Sequence, residues 1–145
     1  MSAIRTILLA EDSPADAEMA IDALRDANLA NPIVHVEDGV EAMEYLERKG
    51  RFADRPDEEP AVLLLDIKMP RMDGLEVLQR LRSSEQYRRL PVVILSSSRE
   101  ESDLARSWDL GVNAYVVKPV DSEQFFNAVK TLGRFWAVLN ETPSE

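Results

Sequence analysis

Cysteine is absent from the 145 residues. Its absence removes disulfides, zinc–thiolate sites and cysteine nucleophiles together. Positive charge is also scarce: 17 Lys and Arg stand against 27 Asp and Glu, a net charge of −10. Phosphate backbones are held by clustered Lys and Arg, so neither nucleic acid nor an anionic membrane is an expected partner. Cations and basic protein surfaces are the natural ones, although an acidic total is also an ordinary solubility feature. The apolar start MSAIRTILLA is too short for a secretory signal, and no segment approaches a membrane span. A cytoplasmic location is the expectation. Histidine occurs once, at position 35. His35 lies in a predicted strand, whereas a phosphotransfer histidine belongs on a helix face, so it reads as structural.

What is present is an ordinary globular composition, 45% hydrophobic and 30% charged, in a chain of single-domain size. Five short apolar runs alternate with five helical stretches. The runs are Ile7 to Ala10, Ile33 to Val36, Ala61 to Leu65, Val92 to Leu95 and Asn113 to Val117. Ser13 can cap the first helix, with Pro14 in its first turn and Ala17, Ala20, Ile21 and Leu24 on its buried stripe. Asp38-Gly39 turns into a second helix closed by Gly50. RFADRPDEEP, residues 51–60, reads as a long solvated loop carrying Arg51, Arg55, Asp57, Glu58 and Glu59. A third helix follows Gly74, and a fourth runs from about Glu100 to Gly111. Asp121 can cap a last helix bearing Phe125, Val129, Leu132, Trp136 and Leu139. Strands such as VLLL and VVIL lack polar alternation, which predicts a parallel sheet covered on both faces. One domain is expected over 1–145, with a core at 5–140, a tail at 141–145 and no output domain.

LLLDIKMPRMDG, from Leu63, poses the central question: a strand buried on both faces ends in an acid, Asp66. A carboxylate there is costly unless something compensates it. Ligands of open α/β sheets sit beyond the carboxyl ends of the strands. Collecting what lies there gives Glu11 and Asp12 after the first strand, Asp66 after the third, Ser96 after the fourth and Lys118 after the fifth. Singly, each has a bland reading as a helix cap, a turn residue or a solvated lysine. Together, three acids must share protons or hold a cation. Oxygen ligands alone indicate a hard ion, with Mg²⁺ the best fit. A metal and Lys118 can neutralise a phosphoryl group, Ser96 can donate a hydrogen bond to it, and Asp66 can act as the acceptor.

Four motifs in order, LLAEDSPAD, LLLDIKMPRMDG, VVILSSS and GVNAYVVKP, make the chain resemble the receiver domains of two-component response regulators, the CheY-like family, over nearly its whole length. The resemblance implies a flavodoxin-like (βα)5 fold with strand order 2-1-3-4-5. It implies a signalling switch rather than a turnover enzyme, with Asp66 as the phosphoacceptor for a histidine kinase. Mg²⁺ would be bound by Asp12, Asp66, the backbone carbonyl of Lys68 and Glu11, directly or through water. Lys118 would contact the phosphoryl group, and Ser96 would move toward it with Tyr115 following. The resemblance also implies a cis Lys118-Pro119 bond and a tuning role for Lys68 and Ser98.

A narrower likeness rests on the long loop before the third strand, the segment SWDLGVNAYVVKP and the pair Phe135-Trp136. These look like stand-alone receivers paired with bacterial phytochrome kinases, which implies red or far-red light as the input. Phe126 and Phe135, off the main stripe of the last helix, point to a homodimer; docking of that helix on the sheet is the alternative for its aromatic residues. Two other functions compete. A phosphorelay intermediate would pass phosphate from Asp66 to another protein's histidine. A metal-dependent phosphatase of the haloacid dehalogenase type would need an acid two residues after its nucleophile, where this chain has Lys68.

Overall fold

The computed structural model describes residues 5–26, 31–56, 58–97, 101–118 and 123. Strands and helices alternate: β1 (Ile7–Ala10), α1 (Pro14–Asp26), β2 (Ile33–Val36), α2 (Gly39–Glu47), β3 (Val62–Leu65), α3 (Gly74–Arg82), β4 (Val92–Ser96), α4 (Glu101–Asp109) and β5 (Ala114–Val117). A single 3-10 turn, Gly50–Phe52, follows α2. The five strands form one parallel sheet in the order β2-β1-β3-β4-β5. The expected last helix with its Asp121 cap, the Lys118-Pro119 bond, Ser98, the aromatic positions offered for a homodimer and the C-terminal tail lie outside the described residues. Among the described residues, no helix is long and apolar enough to cross a membrane.

The sheet explains the uninterrupted apolar strands. Every residue of β1, β3 and β4 is buried, whereas the edge strands β2 and β5 mix buried and half-buried positions. Successive side chains of a strand point to opposite faces. Leu8, Ala10, Leu63, Leu65, Val92 and Ile94 therefore meet the buried faces of α2 and α3. Ile7, Leu9, Val62, Leu64, Val93 and Leu95 meet Ala17, Ala20, Ala23 and Leu24 of α1. Both faces need apolar residues, so polar alternation has no place. The expected α1 stripe differs in one member: Ala23 is buried and Ile21 is only half-buried.

Helix ends follow local chemistry. The carboxylate of Asp38 accepts from the Glu41 amide at 2.8 Å and that of Asp73 from the Glu76 amide at 2.9 Å, so each acid caps the helix that starts at the next glycine. Asp38 also accepts from Arg71 Nε at 2.8 Å. The second helix stops before Gly50. Arg48 adopts the left-handed conformation at φ 56°, and the amide of Lys49 bonds back to the Glu44 carbonyl.

The loop after α2 corrects the solvated-loop expectation at Arg55. Its guanidinium donates to the carbonyls of Tyr45 (2.5 Å), Leu46 (3.1 Å), Pro56 (2.7 Å) and Glu58 (2.8 Å). It also lies 4.2 Å from the centre of the Tyr45 ring. The hydroxyl of Tyr87 donates to the Leu46 carbonyl as well. The last carbonyls of a helix have no partner within it, and here two side chains supply them. Arg51, Glu58 and Glu59 are exposed as expected, and Asp57 lies outside the described residues.

Two outcomes follow from these caps. Arg55→Met keeps the aliphatic stem but removes the donors, and should lower unfolding stability by about 1–3 kcal/mol in urea titration with little change in m-value. For Asp38, burial works to raise the carboxyl pKa, but the Arg71 and Glu41 hydrogen bonds prevail and hold it below the usual value. A group with a depressed folded pKa contributes stability above the unfolded value and loses it as pH falls through the folded one. Asp38→Ala should therefore cost about 1 kcal/mol at neutral pH. That cost should shrink below about pH 4, where the unfolded-state carboxyl titrates. Denaturation at pH 7 and pH 3 measures both.

Candidate functional site

Parallel pairing brings the predicted residues together. Ala10 is in register with Leu65, and the amide of Asp66 donates to the Ala10 carbonyl at 3.0 Å. Glu11 and Asp66 therefore leave neighbouring strands side by side. Ser96 is in register with Val117, and the amide of Lys118 donates to the Ser96 carbonyl at 2.9 Å. The hydroxyl-bearing Ser96 is the last residue of β4 rather than the first after it, and it is fully buried. Glu11 and Asp66 are buried as well, whereas Asp12 is exposed.

The ammonium of Lys118 holds the acids together. Its Nζ lies 2.5 Å from Glu11 Oε1, 3.0 Å from Asp16 Oδ2 and 3.1 Å from Asp66 Oδ2. Burial works to lower the Lys118 pKa, but the hydrogen bonds to Glu11 and Asp16 and the charge of Asp66 raise it. The amine stays charged. Burial pushes the Glu11 carboxyl up to about 7, against the lowering effect of its bonds to Lys118 and the Ser13 amide. One ammonium thus faces more negative charge than it can neutralise. Carboxylate oxygens of Glu11, Asp12 and Asp66 all lie within 4.8 Å of one another. An all-oxygen set of this charge, partly exposed through Asp12, fits a hard divalent cation.

The backbone of the segment after β3 is packed too closely for side chains at Gly74 and at Gly39, the first residues of α3 and α2. A Cβ added at Gly74 would stand 2.1 Å from the Asp66 carbonyl oxygen, and one at Gly39 would stand 2.2 Å from the Met72 carbonyl oxygen. The Gly74 amide bonds to the Ile67 carbonyl at 2.8 Å, and the Gly39 amide bonds to Met72 at 3.1 Å. Arg71 sits in the left-handed region at φ 65°. The segment carrying Lys68 is thereby tied to the start of α2. The amide of Lys68 points back to Asp66 Oδ1 at 3.4 Å, and its side chain is exposed, with Nζ 4.0 Å from Asp103.

Tyr115 is half-buried on β5 and packs against the α2–α3 face of the core. His35 is structural in a specific way. Its Nε2 donates to the Glu11 backbone carbonyl at 2.7 Å, bracing the strand end that carries the acid. Sequence reasoning missed Asp16. It sits in the first turn of α1, where acids commonly complement the helix dipole. The signal was its place inside the motif LLAEDSPAD, beside two acids already assigned to the site.

Known proteins share this architecture. The chain is 33% identical to the response regulator Rcp1 of Synechocystis over 132 residues, spanning 91% of this chain and 88% of that protein. The solved bacteriophytochrome response regulator RtBRR superposes with a TM-score of 0.88 at 53% identity, covering 97% of this chain and 85% of that one. The Mn²⁺-bound form of Rcp1 superposes with a TM-score of 0.77 at 33% identity, covering 95% of this chain and 96% of that one. The profile of the response regulator receiver domain matches residues 7–130, so the chain is a member of the response regulator receiver domain family.

Proposed function

We propose that this protein is a response regulator that accepts a phosphoryl group from a histidine kinase onto Asp66 in a Mg²⁺-dependent reaction. The observation that carries this reading is one pocket in which Asp66 lies 3.1 Å from the Lys118 ammonium, beside two further acids. A carboxylate oxygen of Asp66 attacks phosphorus, the bond from phosphorus to the donor histidine nitrogen breaks, and an acyl phosphate forms. The departing imidazole keeps the bonding pair.

Phosphoryl transfer is mostly positioning and charge stabilisation. Lys118 neutralises charge on the phosphoryl oxygens, and Ser96 donates its hydroxyl to one of them. Glu11, Asp12, Asp66 and the Lys68 carbonyl would hold the metal, which when bound supplies further neutralisation of the transferring group. Movement of Ser96 toward the phosphoryl group, followed by Tyr115, changes the surface of α4 and of the expected last helix. The donor kinase is of the phytochrome type on this reading, by likeness to the bacteriophytochrome response regulator RtBRR.

Incubation with acetyl phosphate and Mg²⁺, followed by intact-mass measurement, should add one phosphoryl group to the wild type and none to Asp66→Asn. Labelling that survives the substitution, or that proceeds in excess chelator, overturns the assignment. For the kinase, a phosphorylated bacterial phytochrome kinase should transfer to this protein at least about tenfold faster than to an unrelated receiver, the equivalent of some 1.4 kcal/mol in the barrier. Equal rates would remove the phytochrome pairing and leave the acceptor chemistry intact.

A further inference from the structure

We propose that Asp16 is a positioning residue for phosphoryl transfer, a counter-ion that keeps Lys118 in the pocket when its other two carboxylate partners are drawn away. The inference rests on the function proposed above. An ammonium has three N–H donors and no acceptor. In this structure Glu11, Asp16 and Asp66, at 2.5, 3.0 and 3.1 Å, occupy all three. An incoming phosphoryl oxygen can bind Lys118 only if one of them lets go.

The three partners differ in what else they can do. Glu11 and Asp66 belong to the group of acids whose oxygens lie within 4.8 Å of one another. A dication among those oxygens competes with Lys118 for both. Phosphorylation then turns one Asp66 oxygen into the bridging oxygen of an acyl phosphate, a poor acceptor. Asp16 stands outside that acid group, and neither change engages it. It is the carboxylate left for Lys118 after the metal and the phosphoryl group have claimed the others.

The placement of Asp16 is built in. Its own amide donates to Ser13 Oγ at 3.3 Å, the Ala17 amide donates to the Ser13 carbonyl at 2.9 Å, and the Ser13 amide donates to Glu11 Oε2 at 3.0 Å. The first turn of α1 is thus locked to the segment that carries Glu11. An ordinary first-turn acid would satisfy the helix dipole from solvent. The Asp16 carboxylate instead reaches a lysine 102 residues away in sequence. Its side chain remains 37% exposed, so the pair adds little to stability and its removal leaves the fold intact.

The test compares phosphorylation by acetyl phosphate at saturating Mg²⁺, with Mg²⁺ affinity measured separately by calorimetry and folding checked by thermal melting. Asp16→Ala should lower the maximal rate at least about fivefold. Its Mg²⁺ dissociation constant should stay within about twofold of wild type, because Asp16 is a lysine partner and not a ligand. Asp16→Glu should recover part of the lost rate. Asp16→Asn, which keeps the shape and loses the charge, should fall in the same direction and replaces the alanine variant if that one does not fold. In a Lys118→Ala background, Asp16→Ala should have no further effect, since its whole action passes through the ammonium. An unchanged rate, a loss confined to Mg²⁺ affinity, or full additivity with Lys118→Ala overturns the inference while labelled wild type keeps the proposed function standing. A wild type that takes no label ends both.

Discussion

One half-buried ammonium facing three carboxylates is the interaction on which the rest depends. Glu11 and Asp66 are almost fully buried at the end of a hydrophobic sheet, where an unpaired charge is expensive. Lys118 meets both, from a strand that is separated from β1 by β3 and β4 in the sheet. Removing Lys118 would leave both acids without the charge that their position requires. The compensation is still incomplete, because Glu11 is pushed up to about 7 mainly by burial. A site in that state is prepared for more positive charge.

The sheet makes such a pocket rigid. Three central strands buried on both faces give a floor that cannot shift without exposing apolar surface on one side or the other. Above it, the backbone at Gly74 approaches the Asp66 carbonyl too closely for a Cβ, and Gly39 does the same with Met72. These contacts tie the turn after β3 to α2. Asp38 and Arg71 close the same junction from the side. The proposed function, which puts a metal and a transferring group here, would benefit from supports of this kind.

Outside the pocket, the long loop after α2 shows how an irregular segment is made part of the fold. Arg55 turns back on the helix it follows and donates to the carbonyls of Tyr45 and Leu46, while the Tyr87 hydroxyl also donates to Leu46. His35 does comparable work at the Glu11 carbonyl. In sequence, Arg55 reads as solvated and His35 as merely structural. Their donors find main-chain acceptors through chain reversals that no local pattern encodes.

Sequence by itself determined the alternation of strands and helices, because apolar runs, the cap at Ser13, and stops at turns are local properties. It also placed Glu11, Asp12, Asp66, Ser96 and Lys118 at one edge of the sheet, since parallel strands deliver their last residues there. Tertiary structure alone decided which of these side chains touch. The threefold grip on Lys118, the recruitment of Asp16 from α1, the bracing of Glu11 by His35 and the capping by Arg55 all join residues far apart in the chain. Such contacts depend on the register between strands and the seating of helices on the sheet, and those are set by packing of the whole core rather than by any one segment.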